Sequence, residues 1–357
     1  MIIENNYKAV VELLKQLIAT PSFSREEDKT AAILEQFFKE RSITSKRHLN
    51  NVWCLNKYFD GNKPSILLNS HHDTVKPNPH YSKDPFNPVI EGDKLFGLGS
   101  NDAGGPLVSL IAAFLHFYEQ HDLKYNLVLA ATAEEEISGK NGIECILPLL
   151  PAIDCAIVGE PTLTDLAIAE KGLLVLDCIT LGKAGHAARD EGENAIYKAL
   201  DDISWIRNYH FSKISASLGP VKMSVTVIGT ENKAHNIVPG QCYFVVDIRV
   251  TDSYTHEEIL ATIQQHVSAE VKPRSMRMRA SKIDKQHPLV KAGISLGKKT
   301  YGSPTTSDQA LIPVPSLKCG PGDSARSHTA DEYIYLHEIR EGIETYVRIL
   351  EKVIVND

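Results

Sequence analysis

The sequence lacks the features that mark several classes of protein. The six cysteines include no Cys-x-x-Cys pair, and no apolar run is long enough to cross a bilayer. Lysine and arginine number 38 against 45 aspartates and glutamates, and the net charge of -7 leaves no basic stripe. These absences argue against a thiolate zinc site, a disulfide framework, a membrane partner and a nucleic-acid partner.

What remains is an ordinary globular composition, with 43% hydrophobic and 23% charged residues. The scattered cysteines fit reduced, mostly buried thiols, and the N-terminal stretch is amphipathic and acidic rather than a signal peptide. We therefore predict a cytoplasmic protein. A chain of 357 residues suggests about two domains.

Apolar runs that end in polar clusters organise the first half of the chain. The runs "SILLNSHHD", "YNLVLAATAEEE" and "CAIVGEPT" alternate with helical stretches, notably at 105–118. Ser24 with Glu27 predicts a capping box at the start of an earlier helix. Fully apolar strands separated by helices are typical of a mostly parallel sheet, whose sites gather beyond the carboxyl ends of its strands.

The pattern changes near Gly172. Alternating and β-branched runs such as "LLVLDCITLG" and "QCYFVVDIRV" predict an antiparallel sheet, and two further stretches have helical spacing. From about Lys285 the helix and strand pattern returns. The predicted fold is α/β: a mostly parallel sheet with helices on both faces, from 1–172 and 285–357, and an inserted α+β domain, an antiparallel sheet with two helices, at 173–284.

The "HHD" triplet closes the first apolar strand. Residues two apart on a strand share a face, so His71 and Asp73 point together while His72 points away. His71 offers a ring nitrogen to a metal, and Asp73 can orient that ring. The alternative is a surface turn.

Four other clusters carry possible chemistry. Asp102 lies among glycines before a helix, where it is either a ligand or a helix cap. The adjacent carboxylates at 134–136 are either a ligand beside a general base or a solvated acidic turn. Glu160 ends another strand, and His328 lies in a glycine-rich loop; a lone histidine is more often structural.

Together these clusters resemble the M20 co-catalytic metallopeptidases and deacylases. The motifs occur in the order of that family: His-x-Asp, Gly-x-Gly-Ser-x-Asp, a Glu-Glu pair, Gly-Glu-Pro, then Gly-His, Asn-x-x-Pro and Asp-x-Arg in the insertion, and a late histidine. One motif departs from the family, which usually has Asp-Glu-Glu where this chain has three glutamates. The resemblance covers essentially the whole chain.

The resemblance implies a site with two zinc ions per subunit, for which Co²⁺ is a possible substitute. Asp102 would bridge the ions, Glu135 would be the general base, and Asp73 would orient His71. The implied metal ligands are His71, Asp102, Glu136, Glu160 and His328.

The resemblance also makes the inserted domain a lid and a dimerisation domain. His186 would reach the active site of the partner subunit and stabilise an oxyanion; alone, it is a surface-loop histidine. Asn236 and Arg249 would bind a substrate carboxylate, although Arg249 equally suits a structural salt bridge. Asp308 would face a substrate amine; the alternative is a turn or a helix cap.

The implied enzyme is a hydrolase of N-acylated amino acids, most similar to the acetylornithine deacetylases of arginine biosynthesis. It would be a homodimer acting on a small molecule. N-acetyl or N-succinyl forms of citrulline and ornithine are alternative substrates, and a dipeptidase or exopeptidase of the same fold is an alternative activity.

Overall fold

The computed structural model of the protein describes residues 2–189 and 191–355, which form two compact units. The sequence-based boundaries at 172/173 and 284/285 lie a few residues further along the chain than the divisions between the units. The first unit is made of the described parts of Met1–Ile168, Lys282–Tyr301 and Ser307–Asp357, and the second of those of Ala169–Ser281 and Gly302–Thr306.

The helices follow the apolar spacing of the sequence. Val10, Leu13 and Leu14 repeat at helical intervals on α1, and all three are buried. Among the described residues, no helix combines the length and the apolar character that crossing a membrane requires. The α-helices are α1 (Ile2–Ile18), α2 (Asp28–Lys39), α3 (Gly105–Phe117), α4 (Ile143–Ile146), α5 (Ala195–Asn208), α6 (His256–His266), α7 (Pro288–Ser295) and α8 (Leu336–Ile354).

The predicted capping box at Ser24 and Glu27 is wrong. Helix α2 begins at Asp28, and Glu27 occupies the N-cap without a side-chain cap bond. The Ser24 hydroxyl instead donates to Asp73, and the Glu27 carboxylate accepts from Asn50 and from main-chain N–H groups. The side chains that the local pattern assigns to the helix cap therefore bind partners that are distant in the sequence.

The strands form four sheets in the described residues. They are β1 (Ser45–His48), β2 (Asn51–Leu55), β3 (Ser65–His71), β4 (Val89–Glu91), β5 (Lys94–Phe96), β6 (Asn126–Thr132), β7 (Cys155–Val158), β8 (Leu166–Glu170), β9 (Gly172–Leu181), β10 (Gly185–His186), β11 (Lys222–Gly229), β12 (Ile237–Val238), β13 (Gln241–Val250), β14 (Glu270–Pro273), β15 (Ser281–Lys282), β16 (Thr300–Ser303), β17 (Ser316–Lys318) and β18 (Tyr333–Tyr335).

The largest sheet has the order β1-β2-β6-β3-β7-β17-β8-β15, with β16 beside β8. Its centre, β6-β3-β7-β17, is parallel, and β1, β2 and β8 add antiparallel pairs. A small sheet, β18-β5-β4, also belongs to the first unit. The parallel centre brings the carboxyl ends of β3, β6 and β7 to one edge.

Both faces of the central sheet are covered. Ile66 and Leu68 of β3 pack into a core that includes residues of α1, α3 and α8, whereas Leu67 points to the opposite face and packs with Ile143 of α4. This alternation explains why β3 is buried along its whole length and why its residues 66–68 are all apolar. The predicted α/β fold with helices on both faces is confirmed.

The second unit contains the antiparallel sheet β11-β13-β9-β14. Phe244 and Ile248 of β13 are fully buried in a core with Ala199 of α5 and Ile263 of α6. The predicted antiparallel sheet with two helices is therefore confirmed. The role of this unit as a lid and dimerisation domain stays a prediction.

Candidate metal centre

Three parallel strands deliver polar groups to one edge of the central sheet. β3 ends at His71, which is paired in register with Thr132, the last residue of β6. The acidic turn at 134–136 follows β6, and Glu160 follows β7. Because parallel neighbours end on the same side, these groups converge in the position where α/β sheets hold their sites.

Asp102 lies between two histidines. Its Oδ1 is 3.3 Å from Nε2 of His71, and its Oδ2 is 3.7 Å from Nε2 of His328. The loop before α3 carries it, and Gly99 in that loop has a φ of 75° and no room for a side chain against Thr74. A carboxylate that presents one oxygen to each histidine is suited to bridging two cations.

The remaining predicted metal ligands lie on the two sides of Asp102. Oε1 of Glu160 and Oε2 of Glu135 are each 3.8 Å from Nε2 of His71. Oε2 of Glu136 is 3.0 Å from Nε2 of His328. The structure thus brings together every residue that the sequence assigns to the metal centre, together with the predicted general base.

The carboxylates crowd one another in a largely buried place. Burial and the nearby Glu160, Asp308 and Glu136 carboxylates raise the pKa of Glu135 well above its usual value. The contact with Glu136 raises the pKa of His328 to about 9. Positive charge is therefore strongly favoured among these groups, and bound cations would supply it.

The donor atoms fit divalent metal ions. One ligand atom each from His71, Asp102 and Glu136 lie within 4.8 Å of one another. Imidazole nitrogen and carboxylate oxygen are common zinc ligands. Glu160 on one side and His328 on the other add a further donor at each end, so the residues suit a pair of ions.

Asp73 ties the first histidine to the acidic turn. Nδ1 of His71 is 3.0 Å from the Asp73 main-chain oxygen and 3.5 Å from Oδ1 of its carboxylate. That carboxylate also accepts hydrogen bonds from the N–H groups of Glu135 and Glu136, at 3.1 and 3.2 Å, and from the Ser24 hydroxyl at 2.7 Å. Asp73 therefore contacts the histidine ring chiefly through its main-chain oxygen and fixes the glutamate turn through its carboxylate.

Two buried glutamates support the site without having been predicted to do so. Glu27 accepts from the N–H of Glu134 at 3.1 Å and from Nδ2 of Asn50 at 2.8 Å. Glu332 accepts from three main-chain N–H groups of the loop that carries Asp102. Their partners are far away in sequence, so no local pattern could have identified these roles.

His72 points away from the metal centre, as the alternation of a strand predicts. Its ring is buried, with Nδ1 2.9 Å from the Thr30 hydroxyl and Nε2 2.8 Å from the Asn50 main-chain oxygen. These contacts join the end of β3 to α2 and to the turn after β1, so the role of His72 is structural.

Three of the predicted substrate-binding or oxyanion residues belong to the second unit. His186 lies in β10, which pairs with β12, and the N–H of Ala187 donates to the Asn236 main-chain oxygen at 2.9 Å. Arg249 binds Asp247 through two contacts, Nε to Oδ1 at 2.9 Å and Nη2 to Oδ2 at 3.2 Å. The structure brings His186 and Asn236 together and gives Arg249 a protein partner.

Asp308 belongs to the first unit and is only 4% exposed. Its Oδ2 accepts a hydrogen bond from the Thr132 hydroxyl at 2.7 Å, at the carboxyl end of β6. Burial raises the pKa of Asp308 to about 6. The side chain therefore lies beside the metal centre, with a protein group as its partner.

Comparison with known proteins agrees with this geometry. Residues 67–352 match the model of peptidase family M20/M25/M40. A LysW-lysine/LysW-ornithine hydrolase from Sulfurisphaera tokodaii is 28% identical over 98% of this chain and 97% of its own. A succinyl-diaminopimelate desuccinylase from Wolbachia pipientis is 25% identical over 76% of this chain and 72% of its own.

Solved structures share the fold. An aminopeptidase from Bacillus cereus superposes with a TM-score of 0.77 at 18% identity, covering 97% of this chain and 98% of its own. A dinuclear metal-binding peptidase of the M20 family from Bacillus subtilis gives a TM-score of 0.69 at 14% identity, with the same coverage. At these identities the structures establish the architecture alone.

Proposed function

The chain belongs to peptidase family M20/M25/M40, a family of metal-dependent hydrolases, and from this premise we propose that it is an N-acyl amino acid deacylase. The observation that carries the proposal is the position of Asp102 between His71 and His328, with the Glu135 carboxylate 3.8 Å from the His71 ring. That arrangement combines a bridging ligand with a base in one buried place.

The proposed cofactor is a pair of zinc ions per subunit, with cobalt as a substitute. His71 and Glu160 would hold one ion, Glu136 and His328 the other, and Asp102 would contact both. When bound, the ions supply Lewis-acid polarisation of the amide carbonyl. The nitrogen and oxygen donors of His71, Asp102 and Glu136, which lie within 4.8 Å of one another, support this proposal.

The protein groups divide the remaining work. The Glu135 carboxylate accepts a proton from the attacking water and then delivers it to the leaving amine, the ordinary task of a general base and acid. The Asp73 carboxylate holds the main chain of Glu135 in place by accepting a hydrogen bond from the Glu135 N–H. His186 would donate a hydrogen bond to the oxyanion that forms as the carbonyl is attacked.

The first candidate substrate is N-acetylornithine, which would place the enzyme in arginine biosynthesis in the cytoplasm. The Sulfurisphaera relative, which matches nearly the whole chain, is named for LysW-lysine and LysW-ornithine, and the desuccinylase relative for succinyl-diaminopimelate. N-acetyl- or N-succinylcitrulline and N-succinylornithine are the alternatives.

The proposed substrate contacts are Asn236 and Arg249 for a carboxylate and Asp308 for a side-chain amine. Arg249 is bound to Asp247, and Asp308 to Thr132. Arg249 uses Nε and Nη2 for Asp247, and Asp308 uses Oδ2 for Thr132. A guanidinium has five N–H donors and a carboxylate has two oxygens, so each group would share itself between its protein partner and the substrate, or exchange one for the other.

The experiment that tests the proposal is amine release by the zinc-loaded protein from a panel of substrates. The panel contains N-acetylornithine, N-acetylcitrulline, their N-succinyl counterparts and several dipeptides. We expect turnover of one acylated amino acid and little of the dipeptides. Turnover of dipeptides alone would keep the metal centre but replace the deacylase by a dipeptidase, and no turnover of any compound would overturn the proposal.

The proposed assembly is a homodimer through the second unit. Strand β11 is an edge of its sheet, and its Val227 and Ile228 are 46% and 51% exposed. Tyr197 and Leu200 of α5, which packs beside β11, are also exposed. An apolar edge strand favours pairing with a second copy, and a twofold dimer would join two such edges.

Replacing His186 by alanine should lower kcat by about 10²- to 10³-fold, the usual loss when one oxyanion donor is removed. The metal content should not change, because His186 lies outside the ligand set. Steady-state kinetics with metal analysis would check both points.

Mixed dimers of two inactive variants test whether His186 acts in the active site of the partner subunit. Co-folding His186→Ala with Glu135→Gln should restore about a quarter of the wild-type activity, since half of the random dimers would carry one site with both groups intact. If His186 acts within its own subunit, or if the protein is an active monomer, mixing will restore nothing.

A further inference from the structure

Glu332 occupies an unusual position for a carboxylate. It is 2% exposed and directly precedes β18. Its Oε1 accepts from the N–H groups of Asn101 and Asp102, at 2.8 and 2.9 Å, and its Oε2 accepts from that of Gly99 at 3.1 Å. All three donors belong to the loop that carries the proposed bridging ligand.

Burial and the nearby Asp102 carboxylate raise the pKa of Glu332 to about 8, so placing an ionisable carboxyl group here is costly. The hydrogen bonds from three main-chain N–H groups offset part of that cost. A carboxyl group offers an oxygen on each side, one for Gly99 and the other for Asn101 and Asp102, which an amide does not. Its presence is therefore explained best by a demand on the exact shape of the loop.

Glu332 joins two segments that each carry a proposed metal ligand. His328 lies four residues before it, in the segment that leads into β18, and Asp102 lies in the clamped loop. The main-chain oxygen of Glu332 also accepts from the N–H of Gly97 at 3.0 Å. One residue therefore fastens the segment of one proposed ligand to the loop of the other.

We propose that Glu332 is a positioning residue that sets the placement of Asp102 relative to His328 and thereby tunes the affinity for metal ions. It holds the main chain of Asp102 while the side-chain oxygens face the two histidines. It touches neither substrate nor metal. This inference rests on the proposed metal-dependent function and concerns the cation between Asp102 and His328 above all.

The neighbouring Asp331 offers a matched control. Its carboxylate accepts from the N–H groups of Ser82 and Lys83, both at 2.9 Å, and from the Ser82 hydroxyl at 2.5 Å. It is the same kind of clamp from the same segment, but it holds a loop that carries no proposed ligand. A general loss of stability would affect both variants, whereas a change in metal binding should follow Glu332 alone.

The test is titration of the metal-free proteins with Co²⁺, followed by calorimetry and by the visible absorption of bound cobalt. Glu332→Gln should weaken at least one binding event by about 10- to 100-fold and alter the cobalt spectrum, since the amide cannot accept from all three N–H groups. Asp331→Asn should match the wild type. Glu332→Asp, which keeps the carboxyl group on a shorter stem, should lie between them.

The inference is overturned if Glu332→Gln is folded and binds cobalt with the wild-type affinity and spectrum, or if Asp331→Asn is weakened equally. If Glu332→Gln does not fold, a folded Glu332→Asp with unchanged affinity has the same meaning. A wild-type protein that binds no cobalt at all would overturn the proposed function, and this inference with it. Wild-type binding that does not respond to Glu332 would overturn the inference alone.

Discussion

Glu135→Gln should lower kcat by about 10²- to 10⁴-fold, the range that a positioned general base contributes. The change keeps the size of the side chain and removes its capacity to accept a proton. The carboxylate lies 3.8 Å from the His71 ring, and its main chain is fixed by Asp73, so the amide should occupy the same place. Metal analysis should show unchanged content, and KM should change much less than kcat.

Variants of the neighbouring glutamates test whether Glu135 acts as the general base or only contributes negative charge to the turn. The Glu134 carboxylate accepts from Nδ2 of Asn141 at 2.8 Å, away from the metal centre, so Glu134→Gln should retain most of the activity. Glu136→Gln should lose metal affinity first, because Glu136 faces His328. A Glu135→Gln protein with near-normal kcat, or a Glu134→Gln protein that is equally inactive, would show that the base has been assigned to the wrong glutamate.

The sequence predicts the architecture well where one local pattern determines the structure. The run Leu67–Leu68 lies in a strand buried on both faces, and the polar residues that follow it mark the carboxyl end. Three such strands in parallel must end on one edge, so the convergence of His71, Glu135 and Glu160 follows from the sheet itself. The order of the motifs then supplies the family.

The sequence fails where a polar side chain has several possible partners. The pattern at Ser24 and Glu27 predicts a helix cap, but the folded chain offers Asp73 and the acidic turn instead. A side chain with a buried, charged partner gains more than one that caps a solvent-exposed helix end. Such competition cannot be decided from residues only three positions apart.

Arg249 and Glu332 illustrate two degrees of this limit. The sequence raised a structural salt bridge for Arg249 without naming its partner, and the structure shows that partner to be Asp247, two residues away on the same face of the strand. Glu332 instead binds a loop 230 or more residues earlier in the chain. Only the fold brings those segments together. The adjacent Asp331 is also an acidic residue that accepts from main-chain N–H groups, but those groups belong to a different loop.

Asp102→Asn should remove most of the activity, about 10³-fold or more, because the metal pair contributes several kcal/mol of transition-state stabilisation. An amide presents one oxygen and one N–H₂ group, so it cannot offer an acceptor to each of two cations. In the native protein Oδ1 lies near His71 and Oδ2 near His328; in the asparagine variant one of these two oxygens would be replaced by an N–H₂ group. Metal analysis after dialysis should find at least one ion per subunit missing.

A control and a rescue experiment decide what the loss means. Asp93→Asn, at a carboxylate that faces His337 on the surface, should keep both metal and activity. Removing metal from the wild type with a chelator should abolish turnover, and zinc or cobalt should restore it, whereas the same ions should not restore Asp102→Asn. If Asp102→Asn retained two ions and normal kcat, the bridge would have to lie elsewhere. The alternative role of Asp102 as a helix cap is already excluded, because the N-cap of α3 is Gly104 and no side chain caps the helix there.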